Sequence, residues 1–303
     1  MSEAQQKHSD IQLFNCDNSE LMAKMEDESV DVILTDPPYL YLKNQKLERP
    51  FDEQLFFSEC KRVLTKDGFI VMFGRGTSFY RWNTILADSG FTFKEEIIWN
   101  KSYSTSPLMA LSRIHETVSI FTKGRGTINR VKVPYLEMKS HDLESVIGDV
   151  KRLRSILKNT KSLDAVLAFL ENNIVPTDKE HTLSTTISSI VKTQDRCASV
   201  LNGITNGVNE KSIIKQVRDQ YSAIHPTQKP VRLLERLLAL VIPQDKERKD
   251  IVVADFFGGS FSTMEAAYNM GMQGIACEID KEYYEHGKER IEKLPPRQTS
   301  LFT

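Results

Sequence analysis

Asp36-Pro37-Pro38-Tyr39 sets a carboxylate and an aromatic ring at the two ends of a double-proline turn. The residues before it, Val30-Asp31-Val32-Ile33-Leu34, are apolar and rich in β-branched side chains, which predicts a buried strand. Neither proline can donate to a strand ladder, and Pro37 holds Asp36 in extended backbone. A hydrogen-bond acceptor and a stacking surface therefore stand on a stiff turn at the carboxyl end of a strand. Open α/β sheets bind ligands at that place. Taken alone, the tetrapeptide is an ordinary strand-to-loop turn.

A second stretch far along the chain changes its meaning. Ile251-Val252-Val253-Ala254-Asp255 predicts a strand, Phe256 to Thr263 a glycine turn, and Met264 to Met270 a helix. Such a turn lets a cofactor approach backbone and a helix N-terminus. The next strand, Gly274 to Glu278, ends in an acid suited to ribose hydroxyls.

Together these stretches resemble the amino-methylating DNA methyltransferases, specifically their permuted β group. In that group the Asp-Pro-Pro-Tyr turn precedes the glycine motif, with a target-recognition region between them. The resemblance covers about two thirds of the chain and is reinforced by His225-Pro226-Thr227-Gln228-Lys229-Pro230. A closely similar stretch packs beside the cofactor in the family; as local structure it is a helix-entry turn, with Pro230 in first-turn position. The implied fold is α/β and Rossmann-like, with a mostly parallel seven-stranded sheet. The implied organisation is a catalytic half (1–124), a target-recognition insert (125–223) and a cofactor-binding half (224–303).

The resemblance also implies S-adenosyl-L-methionine as methyl donor and double-stranded DNA as substrate. Asp36, Pro37, Pro38 and Tyr39 would be catalytic. Asp255, Gly259 and the turn after it would meet the methionine portion of the cofactor, and Glu278 its ribose. Asp17, Asp36, His225, Thr227, Lys229, Phe257, Gly258, Ser260 and Ile279 complete the expected cofactor site. Asp17 reads equally as a turn residue, and His115 as a sheet-end histidine. Phe261 stands where the family pattern usually has glycine, and Phe256 where it often has proline.

The chemistry needs these residue types. The lone pair of an exocyclic amino group is conjugated into its ring, so the nitrogen is a poor nucleophile. A carboxylate accepting an amino hydrogen draws it toward tetrahedral geometry and stabilises the developing charge. Asp36 can do this, with the Pro37 carbonyl taking the second hydrogen. The base must leave the duplex to be reached, and Tyr39 can stack on it. No metal is expected, because the sulfonium supplies the electrophile. The expected reaction is N6 methylation of a flipped adenine. Rival readings are cytosine N4 or RNA amino methylation, and an inactive DNA-binding cofactor sensor. Protein-glutamine enzymes usually have Asn in place of Asp36. The resemblance leaves room for a homodimer and a cognate restriction endonuclease.

At 303 residues the chain can bury a sizeable core, and its 40% hydrophobic content is ordinary for a globular protein. The formal net charge of −1 means that any DNA-binding basic surface is local. Residues 125–223 hold 15 Lys+Arg against 11 Asp+Glu, while the remainder holds 25 against 30, so the insert is the basic part. Val146, Val150, Leu153 and Leu157 recur at helical spacing, with Lys151, Arg152, Arg154 and Lys158 around them. That pattern predicts a helix with a basic outer face, either phosphate-contacting or merely solvated. Cys16, Cys60, Cys197 and Cys277 are widely spaced, which argues against a zinc site or disulfide framework and suits a reducing cytoplasm. The polar start, Met1 to Asp10, has no signal-peptide core, and no membrane span is expected.

Around the motifs, strands are expected at 11–14, 69–73, 93–99 and 116–122. Asn18 or Ser19 is expected to cap a short helix through Met25, and further helices are expected from Glu53 to Leu64, followed by a turn at Thr65–Gly68, from after Gly76 to Ser89, and from Val231 to Leu240. A polar loop, Leu40 to Asp52, follows the catalytic turn, and the tail from Leu294 reads as a disordered end.

Overall fold

The computed structural model describes residues 10–39, 49–103, 111–140, 142–156, 202–204, 206–218, 225–226 and 228–295. Thr227, Lys158, Cys197, most of the loop after Tyr39 and the tail beyond 295 lie outside them. Two compact units form, one from Met1–Asn129 with Lys211–Thr303 and one from Arg130–Glu210.

The first unit is built on a sheet of β1 (Ile11–Phe14), β2 (Val30–Thr35), β3 (Leu64–Gly74), β4 (Thr92–Asn100), β5 (His115–Thr122), β8 (Ile213–Lys215), β9 (Val252–Asp255) and β10 (Gln273–Cys277). Their spatial order is β1-β10-β9-β2-β3-β5-β4-β8. Pairings are parallel except where β5 runs antiparallel to both β3 and β4. Every residue of β2 is buried, as its β-branched run requires of a central parallel strand. Even Asp31 is buried, where its carboxylate accepts from Lys246 Nζ at 2.5 Å and Val252 N at 3.1 Å, tying β2 to the start of β9.

Helices α1 (Asn18–Met22), α2 (Glu53–Val63) and α3 (Gly76–Asp88) lead into or out of this half of the sheet. The apolar stripe of α2, with Phe56, Phe57, Cys60 and Val63, joins Trp82 and Leu86 of α3 over Ile70 and Met72 of β3. The alternate residue Val71 points to the other face. The leucine-rich α6 (Val231–Val241) packs on α7 (Ser262–Asn269), and α7 lies against β9 and β10. Helix α8 (Lys281–Glu292) closes the unit, capped by Asp280 accepting from Glu282 N and Tyr283 N.

Three expectations are corrected. Among the described residues the sheet has eight strands, not seven, because β8 joins the edge beside β4 although the sequence assigns it to the insert. It pairs Ile98↔Ile213 to Asn100↔Lys215 and buries Ile214. Asp17, not Asn18 or Ser19, caps α1, which ends at Met22. Strand β3 starts at Leu64 directly from α2, running through the expected turn Thr65–Gly68, because buried Leu64 already pairs with Val30 before a bulge.

In the second unit β6 (Lys132–Val133) pairs antiparallel with β7 (Val208–Asn209), and α4 (Tyr135–Met138) and α5 (Leu143–Ile156) follow β6. Asp149 organises them, accepting from the Tyr135 hydroxyl at 2.6 Å and pairing with Lys139 at 2.7 Å. Val146 and Leu153 of the expected helical stripe are buried.

Candidate active site

Chain order reverses between β9 and β2, the switch point at which open sheets form a ligand crevice. The carboxyl ends of β1, β10, β9, β2, β3 and β4 share one rim, and antiparallel β5 brings its first residues there too. A cavity of about 480 Å³ opens at this rim, within the usual range of small-molecule sites. It is lined by Asp17, Asp36, Pro37, Pro38, Tyr39, His225, Lys229, Asp255, Phe257, Gly258, Gly259, Ser260, Glu278 and Ile279. These are all the expected site residues except Thr227, which lies outside the described residues.

Two acids meet across the switch point. The Thr35 hydroxyl donates to Asp255 Oδ1 at 3.0 Å, and Phe257 N donates to the same oxygen at 3.1 Å. Burial pushes the Asp255 carboxyl up to about 6, against these hydrogen bonds and one from Thr263. Asp36 follows Thr35 and turns its carboxylate to other partners. The Tyr39 hydroxyl donates to Asp36 Oδ1 at 2.5 Å, and Lys229 Nζ donates to Oδ2. Ser78 Oγ holds the Tyr39 carbonyl at 2.6 Å, and the Tyr39 ring leans on Trp82 with centroids 6.2 Å apart.

On the glycine side, Gly259 has φ +53, and its bare backbone faces the His225 ring, which a Cβ would meet at 3.4 Å. His225 is buried, and burial with the charge of Lys229 depresses it to about 4, so it is neutral. Glu278 accepts from Gly259 N at 2.9 Å and from Asp280 N at 2.7 Å. The acid expected at the ribose thus also ties the glycine turn to the head of α8. Burial raises its carboxyl. Asp17 Oδ1 accepts from Ser19 N at 2.9 Å, so it caps α1 while lining the cavity. Phe261 has φ +54, a left-handed backbone usually left to glycine, yet its ring is fully buried against Tyr284 at 6.0 Å between centroids. Phe261 does not line the cavity, whereas Gly258, Gly259, Ser260 and Ser262 on either side of it do.

A model of the DNA methylase family matches residues 30–289. The chain belongs to the N6/N4 DNA methylase family. The DNA adenine methyltransferase YhdJ of Escherichia coli K12 is 26% identical over 283 residues, covering 89% of this chain and 79% of YhdJ. Two solved structures share the fold. PvuII DNA methyltransferase, cytosine-N4-specific, has a TM-score of 0.56 at 15% identity, covering 97% of this chain and 89% of its own. The M1.HpyAVI–SAM complex has a TM-score of 0.53 at 17% identity, covering 92% and 99%.

This DNA methylase also carries site groups that sequence reasoning passed over. Glu116 is the second residue of β5 and Lys101 immediately follows β4, and both line the cavity. Their signal was position: each stands at a strand end on the rim, but only the antiparallel register Trp99↔Glu116 puts them together. Lys229, expected at the cofactor, lines the cavity with its ammonium on Asp36 and Glu116. Phe51 lines the cavity too, 5.0 Å from the Phe257 ring. Among the described residues no helix is long and apolar enough to cross a membrane.

Proposed function

We propose that this DNA methylase methylates the N6 amino group of an adenine flipped out of double-stranded DNA. The observation that carries the reading is one cleft shared by an acceptor carboxylate, Asp36, and a bare glycine turn, Gly258–Gly259. The cofactor is S-adenosyl-L-methionine. The residues present fit it: Asp17, Asp255, Glu278 and Asp280 line the glycine side of the cavity, favouring a cationic ligand. When bound, it supplies a methyl group made electrophilic by the sulfonium.

The chain's own residues prepare the base. Asp36 Oδ1 takes an amino hydrogen, and the Pro37 carbonyl takes the other, so the nitrogen lone pair is freed from the ring. The double-proline turn keeps both acceptors in place before the base arrives. The Tyr39 ring stacks on the base, worth about 1–3 kcal/mol, comparable to the cost of unstacking it. Phe51 and Phe257 form an apolar wall that excludes water from the reacting groups.

Adenine is favoured by Asp at the head of the motif, by the purine's larger stacking area, and by the likeness to an adenine enzyme at 26% identity. Cytosine N4 methylation is the second reading, supported by the likeness in fold to a cytosine-N4 enzyme. Digestion of methylated DNA to nucleosides, followed by mass spectrometry, separates the two. N6-methyldeoxyadenosine without N4-methyldeoxycytidine is expected. The reverse would overturn the adenine assignment and leave amino methylation standing.

A further inference from the structure

Four charged side chains from four places in the fold form one alternating row in the cleft. Lys101 Nζ lies 3.1 Å from Glu116 Oε1, and Glu116 Oε2 lies 3.4 Å from Lys229 Nζ. Lys229 in turn donates to Asp36 Oδ2. Lys101 is 3% exposed and Lys229 is 7% exposed. Phe73 faces the Lys229 ammonium, with its ring centroid at 4.8 Å. Two cations and two carboxylates balance, so the row is neutral as a unit.

Stability does not account for such a row. Desolvating buried charges offsets most of their attraction, and apolar replacements of similar volume are often as stable. The row ends on the carboxylate that the proposed function makes the acceptor, and all four groups line the cavity.

Resting on that reading, we propose that Glu116 is a positioning residue for methyl transfer, holding the Lys229 ammonium where it orients the Asp36 carboxylate. An uncharged acid would be a poor acceptor for developing positive charge. Burial pushes Asp36 toward that uncharged form, Lys229 opposes it, and Glu116 reinforces it. Burial works against charge on Lys229 too, but Asp36 and Glu116 outweigh it and keep the ammonium protonated. Glu116 is likewise held ionised by Lys229 and Lys101 against its burial. Among the described residues, charged or titratable groups around the row include Tyr39 on the same turn, Asp255 at the end of β9, His225 ahead of α6, and Arg218 after β8.

The row makes a prediction of opposite sign for two neighbouring variants. Glu116→Gln removes a negative charge while Lys229 stays on Asp36. The acid limb of the pH profile for single-turnover methyl transfer should move to lower pH. Lys229→Met leaves Asp36 facing Glu116 without a cation, so the limb should move to higher pH. Its rate should also fall about 10²-fold, as a misplaced acceptor requires. Cofactor affinity, measured by calorimetry on the full chain, should hold in Glu116→Gln, because Glu116 does not touch the glycine turn. If Lys229→Met does not fold, Lys101→Met replaces it, with an upward movement expected from the loss of the same sign of charge. Unmoved limbs, or limbs moving the same way, would overturn the role of Glu116. Asp36→Asn serves as the separate control: substantial turnover there would overturn the acceptor reading itself.

Discussion

The ring of Phe261 fills the space that a side chain at residue 287 would need: a Cβ on Gly287 would stand 2.6 Å from Phe261 Cδ2. The phenyl ring also approaches Gly258, where a Cβ would meet Phe261 Cε1 at 2.3 Å. Two glycines thus make room for one aromatic ring beneath the cofactor turn, which explains how a left-handed Phe261 is tolerated. Phe261→Ala should destabilise by about 3–5 kcal/mol, since it opens a core cavity and keeps the strained backbone. Phe261→Gly should recover roughly 1 kcal/mol of that through the freedom of glycine at positive φ. The order wild type, Gly, Ala in thermal unfolding checks this. Gly287→Ala should also lower stability, because overpacking costs about 1–3 kcal/mol and exceeds the helix-propensity gain of roughly 1.

Chemistry and cofactor binding should separate by mutation. Asp36→Ala should abolish turnover while cofactor affinity changes little, since Asp36 faces Tyr39 and Lys229, not the glycine turn. Glu278→Ala should weaken cofactor binding, and more than a lost ribose contact alone would suggest, because Gly259 N and Asp280 N lose their acceptor. Glu278→Gln, which retains one acceptor oxygen, should fall between. Single-turnover rates and calorimetric affinities for the three variants decide it.

The pH dependence of stability should show two opposed contributions. Asp255 titrates at about 6 in the folded chain, by burial, against about 3.9 unfolded. Its contribution is full below the unfolded value and is lost as pH rises through about 6. Asp255→Asn should therefore be more stable than wild type above that pH, by on the order of 3 kcal/mol, with the gap closing toward about pH 4. His225 runs the other way. Its folded value of about 4, from burial and then Lys229, lies below the unfolded value of about 6.5. That contribution is present above about 6.5 and lost as pH falls toward 4, so His225→Gln should flatten the acid-side decline. Denaturant titrations between about pH 4 and 8 would measure both.

The second unit should carry a salt-dependent share of DNA affinity. Neutralising Lys151, Arg152, Arg154 and Lys158 should flatten the dependence of binding on salt, each lost phosphate contact removing about 0.9 from the slope. Arg152 is 72% exposed at its side chain and pairs with Asp149 at 3.4 Å. Cofactor affinity should not change. An unchanged slope would assign the DNA contacts to other residues.

Local signals in the chain settled much of this protein. The β-branched run before Asp36 specifies a buried strand, the two prolines specify its stop, and the strand–glycine–helix pattern after Ile251 specifies a cofactor turn. Each depends on neighbours in sequence, through backbone restriction and side-chain periodicity. Where the signal was equally local but several capping residues stand together, as at Asp17, Asn18 and Ser19, the cap expected at Asn18 or Ser19 fell instead on Asp17. Tertiary structure alone decided the rest. Nothing in the sequence near Ile213 says that three residues will extend the main sheet, because an edge strand is defined by the partner it finds. Nor could the sequence show that Phe261 turns into a space left by Gly287, 26 residues on. The row from Lys101 to Asp36 is the clearest case: its members are scattered from residue 36 to residue 229, and each alone is an ordinary charge. Coulomb interactions act through space, and only the strand order and the antiparallel register of β4 and β5 bring these charges within a few ångströms of one another.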